Sequence, residues 1–144
     1  MQINDAGLKL IEEFEGKRLR AYRDVGGVPT IGYGHTGPDV HMGDVITPQQ
    51  AENLLDKDLE SREKQLTDWL ETVPTTPNQF SALIAFGYNV GMGALHRSEV
   101  LENHMRGRYN QAAAAFGHWT KVDGVVVGGL VRRRQAERKL YETP

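Results

Sequence analysis

The chain has no cysteine, so neither a disulfide framework nor a thiolate metal site is open to it. A long hydrophobic run is missing too. The most apolar stretches, residues 82–95 and 124–131, are too short or too interrupted to span a bilayer. The opening residues MQINDAGLK carry neither a basic n-region nor an apolar h-region, and no lipidation motif occurs. No leader and no membrane anchor are therefore expected. Basic residues are not interleaved with aromatic ones and no nucleic-acid-binding motif is present, which argues against a nucleic-acid partner. His35 has no second His or Cys at a ligand spacing, and His104 and His118 are isolated. Neither a metal nor another cofactor is expected.

What is present fits one folded domain. The 144 residues (16.1 kDa), 39% apolar and 25% charged, suffice for a single core or two small lobes. The net charge of −2 hides an asymmetry. Residues 1–71 hold eight Lys and Arg against fourteen Asp and Glu, whereas residues 72–144 hold nine against five. The basic half could meet an anionic polymer, although a solvated surface is the usual explanation of such an imbalance.

A first helix is expected from Asn4 or Asp5, both N-cap types, to Gly16, a residue type that commonly follows a helix end. At about 100° per residue, Leu8, Leu10, Ile11 and Phe14 form one apolar arc. Glu15 falls inside this arc, Glu12 lies just outside its edge and Glu13 points away. A carboxylate on an apolar face is costly unless it is paired, protonated or used. Residues 19–22 and 29–33 read as strands joined across Asp24-Val25-Gly26-Gly27, with a third short strand or loop at 40–45. Thr47-Pro48 with Gln50 opens a long helix reaching about residue 70. Thr76-Pro77 repeats the signal ahead of an apolar helix at 80–88. Shorter helices are expected at 98–105, 110–119 and 130–141, with the Gly-rich stretch 124–129 as a loop.

Residues 13–36 therefore hold Glu15, Asp24 and Thr30 in a pattern that suits hydrolytic chemistry. Glycoside hydrolysis uses two carboxyls with opposed protonation, one donating to the leaving oxygen and one activating water. The negative end of the helix dipole and the apolar face both favour a proton on Glu15, whereas Asp24 at a polar turn should stay ionised. Plainer roles exist for each: Glu15 as partner of a core Arg, Asp24 as a turn cap, Thr30 as a β-branched strand residue.

The run E-G-x-x-L-x-A-Y-x-D from Glu15 and the run P-T-I-G-Y-G-H-T from Pro29 resemble the signature of phage-type lysozymes, glycoside hydrolase family 24. Stretches at 79–91, 97–101 and 129–137 resemble later motifs of that family. The resemblance implies an α+β, lysozyme-like two-lobe fold within a single domain, 1–144. A small lobe with a β-hairpin or three-stranded sheet would occupy about 16–60, and a helical lobe 1–15 and 61–144, joined by a long helix. It implies a muramidase cutting the β-1,4 bond from N-acetylmuramic acid to N-acetylglucosamine in peptidoglycan, by single displacement with inversion. Glu15 would be the general acid, and Asp24 and Thr30 would hold the water. His35 would lie close to the site, with a buried histidine bonded to backbone as the plainer account. Of Arg132, Arg133 and Arg134, the middle residue would reach Glu15 while the others stay at the surface. Tyr88, Asn89 and Ser98 match glycan-facing positions, and Tyr33 would stack on a sugar ring; packing is the plainer role of all four. The implied setting is host lysis by a monomeric endolysin that stays in the host cytoplasm until a holin releases it to the wall. A non-catalytic peptidoglycan-binding module is the alternative, against which the intact Glu15, Asp24 and Thr30 argue.

Overall fold

Asn4 caps the first helix: its Oδ1 accepts from the Gly7 N–H at 3.0 Å, and α1 runs Asp5–Glu15. This and all that follows is seen in a computed structural model describing residues 1–144. The elements after α1 are β1 (Arg18–Arg23), β2 (Pro29–Gly32), β3 (His35–Thr36), α2 (Pro48–Leu70), α3 (Pro77–Val90), α4 (Met92–Arg97), α5 (Glu99–Met105), α6 (Tyr109–Ala115), β4 (Lys121–Val122), β5 (Val125–Val126) and α7 (Gly128–Glu142). The chain divides into two units, Ile11–Ser61, and Met1–Leu10 with Arg62–Pro144. The mixed α+β architecture expected from the sequence is the one observed.

In the Ile11–Ser61 unit the sheet order is β1-β2-β3, all antiparallel. Tyr22 pairs with Thr30, Thr30 with Thr36 and Ile31 with His35. Ala21, Ile31 and Val40 form the core of this unit, with Ile46 and Leu54 packed against it. Of the two alternatives for residues 40–45, strand or loop, the loop is observed, and the third strand lies earlier. Gly34, at φ +81°, turns the chain back directly after β2, so the pairing strand is His35–Thr36. The 40–45 segment is a turn closed by the Asp44 N–H on the His41 carbonyl, and it contributes one bridge, Arg20 to Val45. Thr47 opens α2 with both halves of a capping box: Gln50 N–H to Thr47 Oγ1 (3.1 Å) and Thr47 N–H to Gln50 Oε1 (2.8 Å).

In the other unit α3 is the central helix, capped by the same device at Thr76 and Gln79 and buried from Phe80 through Gly87. α7 packs against it. The start of α1 also approaches α3 closely. A Cβ on Gly7 would lie 2.7 Å from the Ser81 Cβ, and the Asn4 N–H donates to Ser81 Oγ at 2.9 Å. Phe86 meets Phe116 and Trp119 edge to face, with centroids 5.3 and 5.5 Å apart, each pair adding about 0.5–1.5 kcal/mol beyond burial. Two elements differ from expectation. The helix expected at 110–119 stops at Ala115 and ends in a 3-10 turn, Phe116–His118. The stretch expected as a Gly-rich loop contains the hairpin β4–β5, turned by Asp123 (φ +50°) and Gly124 (φ +79°).

Candidate active site

Glu15 is the last residue of α1 and is half-buried, while Glu13 on the same helix is exposed. The arc that buries Leu10 and Ile11 sets this difference, as helical periodicity requires. Gly16 then leaves the helix, its N–H closing on the Glu12 carbonyl at 3.0 Å.

Asp24 and Thr30 flank the β1–β2 turn and are joined through one residue between them. The Asp24 Oδ1 accepts from the Val28 N–H at 2.9 Å, and the Asp24 N–H donates to the Val28 carbonyl at 3.0 Å. Thr30 is 3% exposed, and its Oγ1 donates to the same Val28 carbonyl at 2.8 Å. Asp24 itself is exposed. Its turn-capping role is therefore real, and it coexists with a carboxylate open to solvent. Glu15, Asp24 and Thr30 all belong to the Ile11–Ser61 unit.

His35 bonds to two carboxylates rather than to backbone. Nδ1 lies 2.7 Å from Asp58 Oδ2 on α2, and Nε2 lies 3.0 Å from Asp39 Oδ2. Only a doubly protonated ring can donate to both acceptors, so this pair of partners favours the charged form. Burial, the largest single influence, disfavours that charge; the hydrogen bonds and charges of Asp58 and Asp39 together outweigh it, and the His35 pKa stands above its ordinary value. The Asp39 carboxyl is held below its own ordinary value, chiefly by its bond to His35. His35 thus ties β3, the following loop and α2 together.

Tyr33 is 7% exposed, so its ring is core and is not laid open for stacking on a sugar. Burial, then the charges of Glu12 and Glu52, push its hydroxyl pKa up. Ser98 is likewise consumed internally. It caps α5, accepting from the Leu101 N–H at 3.1 Å and donating to the Leu95 carbonyl at 2.8 Å. Its hydroxyl, 2% exposed as a residue, does not face a glycan. Tyr88 is half-buried beneath the Arg62 guanidinium, 4.9 Å from the ring centre.

The arginine run needs a larger correction. Arg132 is exposed, but Arg133 and Arg134 are both buried, and both reach Glu137, which is 0% exposed. Arg134 Nε lies 2.6 Å from Glu137 Oε1, and Arg133 Nε lies 3.3 Å from Oε2. Glu137 follows the two arginines at i+3 and i+4, so R-R-x-x-E on a predicted helix already held this signal. Arg133 also donates to the Ala85 carbonyl at 3.3 Å. Arg134 donates to the Asn89 side-chain oxygen at 2.8 Å, which fixes that exposed amide with its oxygen turned inward. Burial lifts the Glu137 carboxyl above its ordinary value, against the pull of Arg134 and Arg133. Arg133, Tyr88, Asn89 and Ser98 all belong to the unit that does not contain Glu15, Asp24 and Thr30.

Comparison with known proteins places these residues in context. Residues 12–137 match the phage lysozyme family. The chain is 46% identical over 148 residues to the endolysin of Bacillus phage PZA, covering 99% of this chain and 56% of that one. It thus spans about half the length of that relative. It is 42% identical over 150 residues to the endolysin of Acyrthosiphon pisum secondary endosymbiont phage 1, with 99% of each chain covered. Among solved structures, the muramidase domain of SpmX from Asticaccaulis excentricus superposes with a TM-score of 0.91 at 38% identity, covering 99% of both chains.

Proposed function

The chain belongs to the phage lysozyme family, and from that membership we propose that it hydrolyses the β-1,4 bond between N-acetylmuramic acid and N-acetylglucosamine in peptidoglycan. Glu15 gives its proton to the bridging oxygen, which leaves with the departing sugar. Asp24 takes a proton from the attacking water, and Thr30 helps hold that water. The displacement is single, so the first product is the inverted, α-anomeric sugar. One observation carries the reading: Asp24 and Thr30 stand on either side of a single turn, hydrogen-bonded to the same residue, in the unit that also holds the half-buried Glu15.

His35 supports the site by fixing β3, whose Thr36 pairs with Thr30. Tyr88 and Asn89 contact the glycan. Of these, Asn89 has the clearest support, because Arg134 holds its oxygen and leaves its amide N–H groups to donate to a sugar. The biological role is lysis of a bacterial host by a monomeric endolysin. No helix is long and apolar enough to cross a membrane. Access to the wall is assigned to a holin that permeabilises the membrane, with the enzyme held in the host cytoplasm until then.

The test is a turbidity assay on cells stripped of their outer membrane. The unaltered chain clears them. Glu15→Gln folds and does not, because an amide cannot deliver the proton, while Glu13→Gln on the exposed face behaves like the unaltered chain. Full clearing by Glu15→Gln would remove Glu15 as the acid. Binding to the wall with no clearing by the unaltered chain would make it a wall-binding module.

A further inference from the structure

Val28 meets the two water-positioning groups through its main chain alone. Its N–H goes to the Asp24 Oδ1, and its carbonyl receives the Thr30 hydroxyl proton at 2.8 Å together with the Asp24 N–H at 3.0 Å. Val28 itself is an exposed apolar residue, 44% accessible. A threonine hydroxyl has one proton to donate. With that proton on Val28, the Thr30 oxygen faces a water only as an acceptor. An ionised Asp24 also offers only acceptors. A water between the two therefore gives one proton to each, and only its lone pairs are left to face outward.

Resting on the reading of the site given above, we infer that the Val28 main chain is a positioning element of the reaction: it fixes Asp24 and Thr30 as a pair of acceptors and so aims the water's lone pair at the anomeric carbon. As the water oxygen bonds to that carbon, the proton on the Asp24 side passes to Asp24. The bond from the anomeric carbon to the bridging oxygen breaks, and that oxygen takes the Glu15 proton. Asp24 ends protonated and Glu15 ionised, while Thr30 keeps its own proton throughout.

The experiment replaces Val28 by α-hydroxyvaline through nonsense suppression, which turns its N–H into an ester oxygen and leaves the side chain and carbonyl in place. Gly26, in the same exposed turn, receives the corresponding change, to glycolic acid, as a control. Kinetics are followed on a soluble glycan. The ester at 28 should lower kcat by about tenfold or more with KM changed less than about twofold, since misplacement within a bound complex acts on the chemical step. The ester at 26 should leave both unchanged. Full kcat in the ester at 28, with Asp24→Asn and Thr30→Ala inactive, overturns the inference and leaves the function standing. Full activity in Asp24→Asn and Thr30→Ala overturns the roles given to those two residues and the inference with them, and absence of hydrolysis by the unaltered chain overturns the function itself. If the ester at 28 does not fold, NMR of the unaltered chain decides. The Val28 amide proton shift should follow carboxyl titration and cease to do so in Asp24→Asn; a shift insensitive to pH in both overturns the inference.

Discussion

His104 should make this fold acid-labile, and the size of the effect can be worked from its surroundings. The ring is fully buried on α5. Nε2 lies 2.9 Å from Thr75 Oγ1, whose own proton goes to the Val73 carbonyl, so Nε2 is the protonated nitrogen. Nδ1 accepts from the Tyr141 hydroxyl at 2.6 Å. Both nitrogens are satisfied in the neutral ring, and a further proton would be a buried charge facing a donor. Burial accordingly pushes the pKa down to about 4. In the unfolded chain the ordinary value near 6.5 applies, so between these limits the unfolded state binds more protons than the folded one. Stability is therefore intact above pH 6.5 and is lost as the pH falls toward 4, after which this loss stops. At about 1.4 kcal/mol per pH unit the total is roughly 3 kcal/mol, of which roughly 2 kcal/mol is gone by pH 5. Urea melts of the unaltered chain and His104→Gln at pH 7.5, 6 and 5 measure this directly. The variant should be about 1–3 kcal/mol less stable at pH 7.5, through its poorer hydrogen bonds, with the gap closing by roughly 2 kcal/mol at pH 5. Parallel pH dependence in the two proteins would refute the argument.

Glu137→Gln should cost about 3–5 kcal/mol in thermal or urea melts, because it strips the carboxylate from two buried arginines. Arg134→Ala should be at least as damaging as Arg133→Ala, and Arg132→Ala should be mild; equal effects at all three would contradict the burial described. Asp58→Asn should cost about 2 kcal/mol below pH 6.5, where its 2.7 Å bond to charged His35 is at full strength, and less as the pH rises through the elevated His35 pKa. Melts showing a gap that widens with pH would place the proton elsewhere. Thr30→Ser should keep more lytic rate than Thr30→Val, since only the serine keeps an oxygen for the water; the reverse order would mean that Thr30 acts by packing.

Local chemistry made much of this fold legible. The capping boxes at Thr47 and Thr76, the periodicity that separates Glu15 from Glu13, and the turn at Asp24 are written in adjacent residues, and the structure follows them. The hairpin at Lys121–Val126 was also readable, because Asp-Gly between valines is a two-residue turn signal, but the neighbouring glycines made the stretch look like a loop. Long-range pairing was harder. Nothing near His35 in sequence announces Asp58, twenty-three residues away on α2. Ser98 and Tyr33 are residue types that suit sugars, but capping and packing have first claim on them. Arg134 is hidden for a different reason: a triple arginine suggests surface charge until Glu137 is placed at helical spacing from two of its members.

The most direct measurement digests purified peptidoglycan with this chain in ¹⁸O-labelled water, reduces the products with borohydride and identifies the new ends by mass spectrometry. Hydrolysis by water held at Asp24 and Thr30 predicts N-acetylmuramic acid ends carrying one ¹⁸O atom, with none formed by Glu15→Gln. Unlabelled 1,6-anhydro ends, or released stem peptides with intact glycan strands, would contradict the account.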